Sequence, residues 1–179
     1  GEVDEDELAN GIGDGDGEGT SVSGGVGALN ALVDFGADGP GDFGLNDDPA
    51  AIATLQAQGL TSDATPLSYS VVGNVLTATA GGNPVFTLTV NADGSYEFVL
   101  QGPLDHPRPG STDDDQLLGL PIDFSGVLSA TDGDGDPVDG FAPGSFVIDV
   151  EDDIPAAQND SATVLAGQAQ NVNMVRSEE

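Results

Sequence analysis

Residues 67–100 read LSYSVVGNVLTATAGGNPVFTLTVNADGSYEFVL, and this stretch decides the fold. Apolar and polar residues alternate with a period of two in the runs 67–72, 75–79, 85–90 and 96–100. Turn-forming Gly, Asn and Asp residues separate the runs, which is typical of β-hairpins. The pattern therefore predicts a β-meander at the centre of the chain.

Shorter β-like runs lie on both sides of the meander, at residues 20–36, 122–130 and 146–150. About seven short strands with regular turns are typical of a β-sandwich. One segment differs, because Asp47-Asp48-Pro49 precedes residues 50–58 and Gly59 follows them, which indicates a short helix. We predict an all-β, Ig-like or cadherin-like sandwich of about seven or more strands, with one short helix.

The length of 179 residues fits one domain with connecting ends. We predict a single β-sandwich module at residues 1–157, of which residues 1–19 form an acidic lead-in. Residues 158–179 are interpreted as a linker or as the truncated start of a following module. The chain contains no Cys, so neither disulfides nor thiolate metal sites are available to it.

The chain is strongly acidic, with 32 Asp and Glu residues, two Lys and Arg residues and a formal net charge of −30. This charge repels nucleic-acid phosphates and anionic lipid headgroups, and it attracts divalent cations. No run is long and apolar enough to span a membrane. We therefore expect no nucleic-acid partner, no membrane insertion, and a monomer for the isolated module.

Acidic residues alternate with Gly in two segments, Asp14-Gly15-Asp16-Gly17-Glu18 and Asp132-Gly133-Asp134-Gly135-Asp136. Gly permits tight turns, and carboxylates supply the oxygen ligands that a hard cation prefers. Three carboxylates at alternate positions repel one another unless a cation lies between them. The alternative is a solvated hairpin loop. Neither segment fits an EF-hand loop, so the pattern predicts several Ca²⁺ ions in sites of another kind.

An antiparallel pairing of the last two runs would place the loop 132–136 at one pole and residues 151–153 at the other, about 20 Å away. We expect the first pole to share ions with the acidic lead-in, and the second pole to receive ligands from a following module. The predicted calcium ligands are Asp4, Asp6, Asp14, Asp16, Glu18, Asp132, Asp134, Asp136, Glu151, Asp152 and Asp153.

The sequence contains no nucleophile elbow, phosphate loop, dinucleotide fingerprint or zincin motif. Its one His, His106, is interpreted as a loop residue with structural hydrogen bonds rather than as a general base. Acidic residues are so frequent that a carboxylate pair carries no indication of glycoside hydrolysis. We therefore expect no catalytic residues and no enzymatic activity.

Several segments, spread in order over residues 3–157, share their sequence with one type of repeat. They are Val3-Asp4-Glu5-Asp6, Gly36-Ala37-Asp38-Gly39, Gln58-Gly59-Leu60-Thr61-Ser62, Tyr69-Ser70-Val71-Val72-Gly73-Asn74, residues 86–96, Gly102-Pro103-Leu104-Asp105-His106 and residues 129–136. With them the chain resembles the tandem repeat (extender) domain of giant RTX adhesins, which Gram-negative bacteria export by type I secretion. The resemblance implies a calcium-rigidified module of an extracellular fibre on the cell surface, used for attachment and biofilm formation. Its partners would be neighbouring modules of the same polypeptide.

Two alternatives of other classes stay open at this point. The module could itself bind a glycan or a protein through the irregular, Pro- and Asp-rich residues 102–121. It could instead be an accessory domain of a secreted, calcium-dependent hydrolase.

Overall fold

A computed structural model of the chain describes residues 1–13, 17–106, 116–117 and 121–153. The helix α1 spans Pro49–Gln56, and two 3₁₀ helices span Ala28–Leu32 and Ser125–Val127. The strands are β1 (Glu2–Asp4), β2 (Ser21–Gly24), β3 (Pro40–Leu45), β4 (Thr61–Ser62), β5 (Thr65–Val72), β6 (Val75–Ala80), β7 (Asn83–Val90), β8 (Tyr96–Leu100), β9 (Gln116–Leu117), β10 (Ile122–Asp123), β11 (Leu128–Asp132) and β12 (Val147–Asp152). None of the helices described there is long and apolar enough to cross a membrane.

The strands form a large sheet and two smaller sheets. The large sheet has the order β2-β8-β7-β6-β5-β4, and the predicted meander is its centre. In the second sheet β12 lies between β1 and β10 and also pairs with β9, whereas β3 and β11 form a two-stranded ribbon. The prediction of an all-β, sandwich-like fold with one short α-helix is confirmed.

The core lies between the large sheet and the layer that contains β12. Alternate residues of β6, such as Leu76 and Ala78, are fully buried, as the period of two predicts. Phe86 of the large sheet meets Phe124 of the other layer edge to face, with ring centroids 5.8 Å apart. The register of β7 shifts at a β-bulge, so that Val85 and Phe86 are both buried although they are adjacent in sequence.

The predicted helix is confirmed as α1, with Pro49 in its first turn and Gly59 at φ 70° just beyond its end. Helix α1 buries Ala51 and Leu55 against the rest of the core. Gln58 then fixes the helix exit, because its side-chain amide donates to the carbonyl of Asp123 at 2.8 Å and accepts from the Asp123 N–H at 2.9 Å.

Three details differ from the prediction. Residues 20–36 contain only the short β2, because the chain then turns into the 3₁₀ helix, which buries Leu29. The strand β3 was not predicted, since Gly residues interrupt its apolar pattern. The two last runs form a hairpin only at β10, because β11 pairs with β3 instead of β12. The boundary at residue 157 and the segment 158–179 lie outside the described residues.

Asp123 connects the second layer to the loop before β12. Its carboxylate accepts hydrogen bonds from the N–H of Ser125 at 2.9 Å and of Gly144 at 2.8 Å. Partial burial pushes the pKa of Asp123 upward, but the bonds from Ser125 and Gly144 outweigh burial and hold its pKa below the usual 3.8. The ionised carboxylate therefore stabilises the fold above that pH.

We expect Asp123→Ala to lower the free energy of unfolding by about 1–2 kcal/mol at pH 7, because two N–H groups lose a charged acceptor. Since the folded pKa is depressed, the difference from wild type should be complete above about pH 4 and should fade as the pH falls further. Urea unfolding at several pH values measures this difference in stability. The exposed Asp139 provides the control, because Asp139→Ala removes the same charge and should change stability by less than about 0.5 kcal/mol. Equal losses in the two variants would contradict this role of Asp123.

Candidate metal centres

Three groups of potential ligands come together in the described part of the chain, and in each group one ligand atom per residue lies within 4.8 Å of the others. We call Asp38, Asp132 and Asp134 the loop cluster. Glu2, Glu18 and Glu151 form the glutamate cluster. Glu5, His106 and Asp152 form the histidine cluster.

The loop cluster is built by the pairing of β3 with β11. This pairing brings residues 36–40 against the loop 132–136, where the N–H of Gly133 donates to the carbonyl of Gly39 at 3.0 Å. A Cβ atom on Gly133 would collide with the carbonyl oxygen of Asp38, so the close approach requires Gly at this position. Asp38 is thereby held next to two carboxylates that are far away in the sequence.

Asp132 organises its loop by accepting three backbone hydrogen bonds at one carboxylate oxygen. The donors are the N–H groups of Asp134, Gly135 and Asp136, at 3.3, 3.1 and 2.9 Å. A side-chain hydrogen bond with Asp134 and the backbone bonds hold the pKa of Asp132 below its usual value. The same side-chain hydrogen bond and the charge of Asp132 raise the pKa of Asp134. The two carboxyl groups therefore oppose simultaneous ionisation, and a cation between them would remove that conflict.

The glutamate cluster and the buried acids around it are held by β1. This strand pairs in parallel with β12, so that Asp4 lies opposite Glu151, and the N–H of Glu5 donates to the Glu151 carbonyl at 3.2 Å. Asp4 and Asp6 are buried, and an Asp4 carboxylate oxygen accepts from the Asp6 N–H at 2.8 Å.

This pairing corrects the predicted grouping of the acids. The lead-in strand β1 pairs with β12, which places Asp4 opposite Glu151. Glu18 comes together with Glu2 and Glu151, whereas the loop cluster takes its ligand atoms from Asp38, Asp132 and Asp134. Asp14 and Asp16 lie outside the described residues. Asp136 contributes its N–H to Asp132, but its carboxylate is not among the ligand atoms of the loop cluster. Asp153 accepts a hydrogen bond from the Ile12 N–H at 3.3 Å and lines a cavity with Glu5.

The histidine cluster lies where the lead-in, the segment after β8 and the end of β12 meet. His106 Nε2 is 3.1 Å from Glu5 Oε1 and 4.0 Å from Asp152 Oδ1, and its side chain is only 3% exposed. Glu5 Oε1 also accepts from the N–H of Leu104 at 2.7 Å. This contact with Glu5 agrees with the predicted hydrogen bonding of His106.

The carboxyl group of Glu5 is buried, and burial disfavours its charged form. Burial raises its pKa, and the bonds from His106 and Leu104 only partly counter that effect. Glu2, Glu5 and Asp38 were not among the predicted ligands, although each belongs to an acidic or Gly-rich segment. Their proximity to the other ligands follows from strand pairing, which the local sequence does not display.

The donor atoms divide the clusters by chemistry. The loop and glutamate clusters offer carboxylate oxygens alone, which suits Ca²⁺ with its six to eight oxygen ligands. The open position of the loop cluster lets water complete such a shell. An imidazole nitrogen is not a calcium ligand of choice, so the histidine cluster fits a different ion.

Asp134→Asn is expected to weaken calcium binding by at least about tenfold, since it removes a charged ligand of the loop cluster. In EDTA the same change should not lower the melting temperature, because it also ends the repulsion with Asp132. Calorimetric calcium titration measures the affinity, and thermal melts in EDTA measure the melting temperature. Asp136→Asn is the control, with the same charge change in the same loop, and a comparable loss of affinity there would contradict the ligand set.

The fold and the clusters define the class of protein: an acidic, all-β, sandwich-like domain whose carboxylate groups are able to hold metal ions. The chain belongs to the family described as Domain of unknown function (DUF5801), whose model matches residues 2–142. The matched part includes β1 to β11 and the whole loop cluster, and β12 follows it. No curated protein and no solved structure matches the chain.

Proposed function

We propose that the chain is a calcium-binding extender module of a secreted bacterial surface adhesin. It acts as a spacer within a fibre that is used for attachment and biofilm formation. The resemblance to the repeats of giant RTX adhesins supports the type of protein. The sandwich-like fold and the all-carboxylate clusters support a mechanical, ion-dependent role.

One observation carries the proposal: Asp132 and Asp134 stand so close that their pKa values are driven apart, with Asp38 beside them. In a chain of net charge −30, like charges at this spacing destabilise the compact state. Bound calcium supplies the positive charge that offsets this repulsion.

The residues of each cluster connect segments that are distant in sequence. The loop cluster fixes residues 36–40 to the loop 132–136, and the glutamate cluster fixes the lead-in to the last strand. Both ends of the module are then held on its body. A fibre of such modules resists bending because neither the entry segment nor the exit strand swings freely.

A tandem of two copies tests this role by small-angle X-ray scattering. We expect a longer maximum dimension and a narrower distribution of dimensions in calcium than in EDTA, because repulsion within the lead-in otherwise releases it from β12. Glu18→Gln in the second copy should reduce the difference, whereas Asp134→Asn in the same copy should reduce it less. Superimposable profiles in calcium and EDTA, with both copies folded, would refute the extender mechanism.

A further inference from the structure

The histidine cluster combines features that the all-carboxylate clusters lack. It contains the only imidazole of the chain, and the side chains of His106 and Glu5 are 3% and 4% exposed. Asp152 is nearby at the end of β12, with 26% of its side chain exposed. A buried carboxylate next to a second carboxylate is costly unless positive charge compensates it.

The formal charges of the three side chains match a divalent cation. Two carboxylates and a neutral imidazole carry a charge of about −2, which one divalent cation would cancel. A protonated imidazole compensates only half of it.

The donor set and its spacing select the kind of cation. Zn²⁺ and similar ions of borderline softness bind imidazole nitrogen and carboxylate oxygen at about 2.0–2.2 Å, which places tetrahedral ligands about 3.3 Å apart. The atoms here are spaced at 3.1 and 4.0 Å around Nε2, and all three lie within 4.8 Å. Small movements of Asp152, the most exposed of the three residues, would bring all three ligand atoms within coordination distance of one ion.

The surroundings also fit a metal centre. Leu104 orients Glu5 through its N–H, which is the type of outer hydrogen bond that metal-binding carboxylates receive. A cavity of about 230 Å³ has Glu5 in its wall, together with Gly11 and Pro103. His106 Nδ1 has no hydrogen-bond partner among the described residues, so the ring is anchored through Nε2 alone.

We propose that Glu5, His106 and Asp152 bind one divalent transition-metal ion of the Zn²⁺ type, at a site separate from the calcium clusters. The bound ion would tie the lead-in, the segment after β8 and the last strand together. This site does not depend on the proposed extender role, because its ligands and its preferred ion differ from those of the all-carboxylate clusters.

The single histidine makes a direct test possible. In untagged chain with excess Ca²⁺, a long-range ¹H–¹⁵N spectrum reports one imidazole, and one equivalent of Zn²⁺ should shift its Nε2 resonance while further Ca²⁺ leaves it unchanged. Calorimetry should show one Zn²⁺ site under the same conditions. No shift of Nε2, or loss of Zn²⁺ binding in excess Ca²⁺, would overturn the proposal.

Three variants make the test specific. His106→Gln should weaken Zn²⁺ binding by more than about a hundredfold, since even the loss of an outer-shell partner typically costs 10–100-fold. Asp152→Asn should also weaken Zn²⁺ binding. This variant disturbs the buried interior less, so it provides the test if His106→Gln folds poorly. Asp38→Asn removes the same charge in the loop cluster and should leave Zn²⁺ affinity unchanged. Unchanged affinity in Asp152→Asn, or an equal loss in Asp38→Asn, would refute the ligand set. The calcium-dependent melting of each variant reports separately on the calcium clusters.

Discussion

Replacing Phe86 with Ala is expected to lower the free energy of unfolding by about 3–5 kcal/mol. Phe86 is fully buried, and its ring lies 5.2 Å from that of Phe98 in its own sheet and 5.8 Å from that of Phe124 in the opposite layer. Truncation leaves a cavity at the contact between the layers, which well-packed neighbours fill only in part. Since domains are typically stable by about 5–15 kcal/mol, the loss is a large fraction of the total.

Urea unfolding in saturating calcium measures this effect on the core without a contribution from the clusters. Val72→Ala is the matched control, because Val72 is 79% exposed and should cost less than about 0.5 kcal/mol. A loss below about 1 kcal/mol in Phe86→Ala would mean that the two layers do not meet at this ring.

Removing calcium with EDTA is expected to lower the melting temperature by about 10–20 °C. An ion that binds only the folded state stabilises by about 2.7 kcal/mol at a hundred times its dissociation constant. Under the calcium hypothesis, the loop and glutamate clusters are two such sites. For a chain of this size each kcal/mol corresponds to about 2–4 °C. Differential scanning calorimetry in EDTA and in increasing calcium measures the shift.

Magnesium is the control ion for this experiment. It requires a tight octahedral shell and loses its water reluctantly, so it should raise the melting temperature much less than calcium at equal concentration. Equal melting curves in EDTA and in millimolar calcium would refute the calcium hypothesis for both clusters.

The meander could be predicted from the sequence because the information is local. Alternation in β6 and β7 sets the buried face, and turn residues such as Gly73 and Asn74 mark the reversals. The strand β3 lacks that information, because Gly41 and Gly44 interrupt its alternation. Gly41 is required by the pairing itself, since a Cβ atom there would collide with the carbonyl of Asp132.

The loop cluster could be predicted in part for the same reason. Asp132 and Asp134 share one short acidic segment, whereas Asp38 joins them only through the pairing of β3 with β11. The pairing of the lead-in with β12 was not predicted, because the three residues of β1 are too few to show a pattern. Its choice of β12 depends on which sheet edge can cover Val3, and that is a property of the assembled fold.

The parallel pairing of β1 with β12 determines how the molecule responds when it is pulled by its two ends. The first strand would be drawn backwards and the last strand forwards, so the load acts along the strands and shears their hydrogen bonds. The bonds from the Asp149 N–H to the Gly1 carbonyl and from the Glu5 N–H to the Glu151 carbonyl would share this load instead of opening one after another. Rupture then requires several bonds to fail together, which makes forced unfolding slow compared with the peeling of an antiparallel end.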